Sequence, residues 1–235
     1  KERKKVTLLE GWSVEQIADE LNKKLHIDTY RFISLSKDFN FLNSLNVDAP
    51  SLEGFLFPDT YIFLSSYTEE QIITIMVNQF FYNYKKYIKP LTGHASLSIR
   101  EIATLASIIQ GEAMYDDEMP IISSVYHNRL KRKMLLQADP TIQYITPGKN
   151  RRLYNKHLRV DDPYNTYKYK GLPPGPINNP GLSALKAAIN PVESSFLYFV
   201  ADGEGRHIFT RNNEEHNEAK KVLNKKRREM RRKKK

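Results

Sequence analysis

The chain has 235 residues, 40% of them hydrophobic and 27% charged, enough to bury a sizeable core in one large domain or a domain with a small companion. It contains no cysteine, which excludes a disulfide framework and a thiolate metal site, and no apolar run approaches the ~18 residues of a membrane span. The formal charge of +10 is carried by residues 220–235, KKVLNKKRREMRRKKK, where 11 Lys or Arg face one Glu; the body before them is neutral, so a nucleic-acid role could rest only on this tail, expected to be disordered or to touch a polyanion.

In chain order, residues 6–9 read as a short strand. Ser13 and Gln16 then form a capping box for a helix through Leu25, stapled by Trp12 and Ile17, with Ile17, Ala18, Leu21 and Leu25 on its buried face. Residues 28–45 predict one or two short helices with Phe39, Phe41, Leu42 and Leu45 as packing residues. In LEGFLFPDTYIFL, Gly54, Pro58 and Asp59 interrupt an aromatic run that resumes as a strand over 61–64, and ordinary core is the expected role of these aromatics. Thr68 and Gln71 cap a long core helix through Tyr87, with Tyr67 and Ile72 as the staple.

Residues 98–113, SIREIATLASIIQGEA, carry the chemistry. Ser98 and Glu101 form another capping box, which fixes the register, and Ile102, Leu105, Ala106, Ile109 and Ala113 then recur along one face. Glu112 falls on that same stripe, three residues beyond Ile109 and seven beyond Leu105. A carboxyl turned toward the core is costly to ionise and holds its proton, as a general acid must. A partly exposed Glu in a fraying last turn, or one paired structurally with an Arg, fits the helix pattern as well.

The acidic turn at 116–118 and Pro120 open the next helix, whose face is Ile122, Val125, Tyr126, Leu130 and Met134 and which is expected to pack near Glu112. Residues 135–181 are rich in Tyr, Asn, Pro and Gly with little periodicity. Such a stretch suits either a stiff surface loop or a sugar site, where amides and carboxylates meet hydroxyls and aromatic faces meet rings. A short helix capped by Asn179 follows. FLYFVAD and HIFTR, around Gly203 and Gly205, give a hairpin, and Asn212 with Glu215 caps the last helix. Helices and strands are segregated, so the fold class is α+β, helices on a small mostly antiparallel sheet. No phosphate loop, GxSxG or HExxH is present. A helix-borne acid beside a polar, aromatic groove points to glycosidic bond cleavage; a conventional glycosidase needs a second carboxylate, for which Asp139, Asp161 and Asp162 are candidates, whereas a lytic transglycosylase needs only one.

EGFLFPDTY (53–61), LASIIQGEA (105–113), HNRL (127–130), LQADPT (136–141), YNTY (164–167), GLPPGPI (171–177) followed by NPG, YFVADG (198–203) and HN (216–217) together resemble the endolytic murein transglycosylase family, MltG or YceG-like, from about residue 6 to 223. The resemblance implies that Glu112 is the catalytic acid and that Gln137, Asp139, Asn165, Thr166 and Tyr167 line the glycan groove. It implies no metal and no organic cofactor, and peptidoglycan strands as substrate. It also implies synthases of the wall as partners, and an inner-membrane anchor upstream with the catalytic domain on the extracytoplasmic side. Many relatives carry a second Glu two residues before the catalytic one, where this chain has Gln110. The division expected is a LysM-like remnant over 1–48, a catalytic domain over 49–219 and a basic tail over 220–235. A hydrolytic muramidase and a non-catalytic wall-binding scaffold are the alternatives.

Overall fold

The computed structural model describes residues 2–92, 97–146, 148 and 153–233, with side chains through 225. Residues 149–152, three of them basic, and the last two of the tail lie outside them. Helices dominate, and the four described strands form two separate antiparallel pairs rather than one sheet. The first pair joins β1 (Arg3–Thr7) to β2 (Thr60–Leu64), with Val6 opposite Tyr61. An expected boundary at 48/49 therefore runs through this pair, and residues on both sides of it, from Val6 and Ile17 to Phe63 and Ile109, share one continuous hydrophobic core.

Between the paired strands lie α1 (Val14–Leu25), α2 (Thr29–Leu35) and α3 (Phe39–Ser44). α1 begins on the reciprocal Ser13–Gln16 cap and buries Ile17, Ala18, Leu21 and Leu25. Phe39, expected in the core, is 74% exposed: α3 is too short to bury both faces, and Leu42 takes the inward position. α4 (Glu69–Asn83) starts on the Thr68–Gln71 box and continues through a π turn, Tyr84–Ile88.

The helix carrying the candidate acid, α5 (Ile99–Glu112), is buried from Ile102 through Ile109 and packs along α8 (Leu182–Ile189) and α6 (Met119–Lys131). α8 is not capped by Asn179. Its N-cap is Gly181, because the Asn179 amide is spent elsewhere: its Oδ1 accepts from the Gly54 and Leu56 N–H groups, both at 2.9 Å, and its Nδ2 donates to Glu53 Oε1 at 2.9 Å. Within the long polar stretch one further helix forms, α7 (Asp139–Ile145), with Pro140 in its first turn. The second strand pair, β3 (Tyr198–Ala201) with β4 (His207–Thr210), packs against α6 and the last helix, α9 (Asn213–Lys233). α9 runs over Asn213–Lys233, so the basic run continues the last helix rather than forming a disordered tail as far as Lys233; it holds good helix formers and no Gly or Pro.

Candidate active site

α5 delivers Glu112 in its last turn to a cleft of about 600 Å³ bounded by α5, α6, the start of α7, the β3–β4 hairpin and α9. Glu112 keeps some accessible surface there, yet the protein packed around its carboxyl removes it from bulk water, and this desolvation pushes its pKa up to about 7, aided by the charge of Asp139. Two groups on α6 oppose the shift. The buried Tyr126 hydroxyl donates to Glu112 Oε1 at 2.8 Å, and the Arg129 guanidinium adds positive charge. Burial and the Glu112 carboxyl in turn drive the Tyr126 phenol pKa well above its ordinary value, so it remains a donor.

Arg129 is buried, and its guanidinium holds two walls together. Nε donates to the Leu197 carbonyl at 2.6 Å, at the entry to β3, and one terminal nitrogen donates to the Leu136 carbonyl at 2.8 Å, beside α7. The same group lies 5.1 Å from the ring centre of Tyr198, which also faces the cleft.

Of the five residues grouped with Glu112 by sequence, three line this cleft and two do not. Gln137 sits at φ 50°, the left-handed region that costs a side-chain-bearing residue about 1 kcal/mol, and it is pinned there by its N–H donating to the Thr166 carbonyl at 3.0 Å. Asp139 lines the cleft and accepts from the Tyr167 hydroxyl at 2.5 Å, so the two side chains present one joined polar edge. Asn165 and Thr166 are buried behind that edge. Asn165 donates to the Leu158 and Val160 carbonyls and accepts from the Tyr167 N–H, while the Thr166 hydroxyl accepts from the Ala138 N–H at 2.9 Å and pairs with Thr141. Both position the wall rather than face a ligand.

The remaining wall was not singled out as substrate-contacting in the sequence, although the motifs YFVADG (198–203) and HN (216–217) supply part of it. Tyr198, Phe199 and His207 come from the hairpin, and Asn213, His216 and Lys220 from α9. Arg129 does carry a usable signal, since it extends the buried stripe of Ile122, Val125 and Tyr126 and is as misplaced there as Glu112 is on α5. Gln110 points away from the cleft, and its Oε1 accepts from the Gly181 N–H at 3.0 Å. Among the described residues no group of three or more His, Asp or Glu is arranged to hold a metal ion.

The model of the YceG-like family matches residues 1–222. The chain belongs to the YceG-like family. An endolytic murein transglycosylase of Bacillus subtilis (strain 168) is 37% identical over 233 residues, covering 92% of this chain and 64% of that protein. One of Streptococcus pneumoniae serotype 2 (strain D39) is 32% identical over 237 residues, covering 90% of this chain and 43% of that protein. This YceG-like chain thus spans less than two thirds of the length of those relatives. A crystal structure of a putative yceG-like protein from Listeria monocytogenes superposes with a TM-score of 0.84 at 36% identity, covering 91% of this chain and 75% of that one.

Proposed function

We propose that this chain is the catalytic part of an endolytic lytic transglycosylase, which cuts the β-1,4 bond between N-acetylmuramic acid and N-acetylglucosamine inside nascent peptidoglycan strands. One observation carries the reading: in a YceG-like chain, a helix-borne carboxyl with its pKa raised to about 7 faces a cleft edged by planar amide, carboxylate and phenol groups.

The Glu112 carboxyl donates its proton to the bridging oxygen as the glycosidic bond breaks. The carboxylate left behind, held by the Tyr126 hydroxyl, takes the proton of the muramyl C6 hydroxyl, whose oxygen attacks its own anomeric carbon and closes a 1,6-anhydro ring. The proton lost in the first step is regained in the second. No water is consumed, and no metal or organic cofactor is called upon. Gln137, Asp139 and Tyr167 are the sugar contacts in this scheme, and Asp139 supplies negative charge beside the oxocarbenium-like centre. We assign the chain to the extracytoplasmic face of the inner membrane, anchored through a segment outside this sequence, beside the synthases that make its substrate.

Hydrolysis of the same bond is the second reading, favoured by the presence of a second carboxylate, Asp139, in the cleft with Glu112. Mass spectrometry of digested glycan decides between them. Anhydro-ended products support transglycosylation, and products heavier by one water support hydrolysis. Glu112→Gln should abolish cleavage while the fold and glycan binding persist; undiminished turnover by that variant would remove Glu112 from the mechanism.

A further inference from the structure

Across the cleft from α7, β4 begins with a histidine whose ring is fixed by a carboxylate. Glu118, at the start of α6, accepts from the His207 backbone N–H through Oε1 at 3.0 Å and meets His207 Nδ1 through Oε2 at 3.1 Å. Both side chains are nearly enclosed, at 7% and 11% exposure, and the ring is further wedged edge-on against Phe199, 5.1 Å away, which in turn packs edge-on against Tyr126 at 5.9 Å. A carboxylate accepts only, so in the neutral ring Nδ1 must carry the proton and Nε2 the lone pair. Nε2 makes no hydrogen bond among the described residues, and His207 lines the cleft.

We infer that His207 is a substrate-contacting residue whose Nε2 accepts a hydrogen bond from an O–H or N–H group of the bound sugar, and that Glu118 is the positioning residue that fixes it as an acceptor. This rests on the glycan-cleavage reading above. Glu118→Gln tests it, because the amide has one acceptor atom and the His207 backbone N–H claims it. The amide NH2 is then left facing Nδ1, the ring takes the other tautomer, and Nε2 becomes a donor where the sugar offers a donor. Shape is kept and only the sense of one hydrogen bond is reversed.

The experiment combines nitrogen-15 NMR of the ring with kinetics of the full chain on uncrosslinked glycan strands. Measured where the ring is uncharged, the expected result is the Nδ1–H tautomer in the unaltered chain, Nε2–H in Glu118→Gln, and a fall in kcat/KM of about tenfold or more, the scale of one misdirected hydrogen bond. His207→Phe, which keeps the ring and removes the acceptor, should show the same loss and covers the case in which Glu118→Gln does not fold. Both variants cleaving as fast as the unaltered chain, or a reversed tautomer with undiminished kcat/KM, would overturn the inference. If instead the unaltered chain fails to cleave glycan at all, the proposed function itself fails, and the two failures are told apart by that control.

Discussion

Glu112 can act as an acid only while it holds its proton, and desolvation keeps it protonated up to a pH of about 7. The expected kcat/KM profile therefore falls as pH rises through about 7, and steady-state kinetics across pH 5 to 9 would show the limb. Tyr126→Phe removes a hydrogen bond that favours the carboxylate, so that limb should move to higher pH. The same variant should lower kcat, because the carboxylate formed on proton donation loses its donor. Gln137 offers an opposite pairing of effects. Gln137→Gly relieves the left-handed backbone and should raise stability by up to about 1 kcal/mol in thermal unfolding, while removal of the amide from the cleft should lower kcat/KM. The inward placement of Glu112 was legible because a carboxyl on an apolar stripe is a local anomaly, whereas spacing alone left its role open between a general acid and a structural or fraying residue. Arg129 presents the same anomaly on α6. Asn165 and Thr166 were not separable from Tyr167 by sequence, since neighbouring polar residues in an irregular segment carry no period to say which side chain faces the ligand and which holds the wall.

At the level of elements, the capping boxes at Ser13, Thr68 and Ser98 fixed three helix starts, because both halves of each box lie within one turn of chain. What sequence left open was pairing at a distance. β1 finds β2 more than fifty residues away, and no local pattern announces that partner or separates one sheet from two. α7 escaped because seven residues with a proline in the first turn show too little periodicity. Asn179 resembles a helix cap in sequence, but its true role is long-range: with Glu53, which accepts from the Val14 N–H at 3.2 Å, it ties the start of α1 and the 53–56 turn to the segment before α8. Glu53 is 3% exposed, and burial pushes its pKa up to about 8. The folded state thus holds a proton that the unfolded chain releases near 4.5, so this group's stabilisation is complete below 4.5 and is lost as pH rises through 8. Glu53→Gln abolishes that ionisation. Denaturant melts from pH 5 to 8 should show stability declining less steeply in the variant, by up to about 1 kcal/mol per pH unit.

For the whole molecule, charge is divided along the chain in a way that the fold makes consequential. α9 is one continuous helix through Lys233: its first half carries Asn213, His216, Lys220 and the buried Leu223 against the cleft, and the basic charge lies beyond it in sequence, where residues 226–235 include eight Lys or Arg and one Glu. A truncation before residue 220 would therefore open the cleft as well as remove charge, and any loss of activity would confound the two. Truncation after Lys225 separates them. That variant should keep its melting temperature and its turnover on short soluble glycan fragments, because the wall formed by Lys220 and Leu223 is intact. Its binding to an anionic polymer such as heparin should weaken, and the dependence of that binding on salt should flatten, since every anionic group that the shorter helix leaves unneutralised keeps its own condensed counterion and takes about one unit out of the slope. Fluorescence titrations at several salt concentrations would measure both quantities. Equal binding by the two chains would assign polyanion binding to residues 1–225, the neutral body with Lys220, Lys221 and Lys225, and a fall in turnover with unchanged binding would mean that the distal turns of α9 support the cleft rather than extend beyond it.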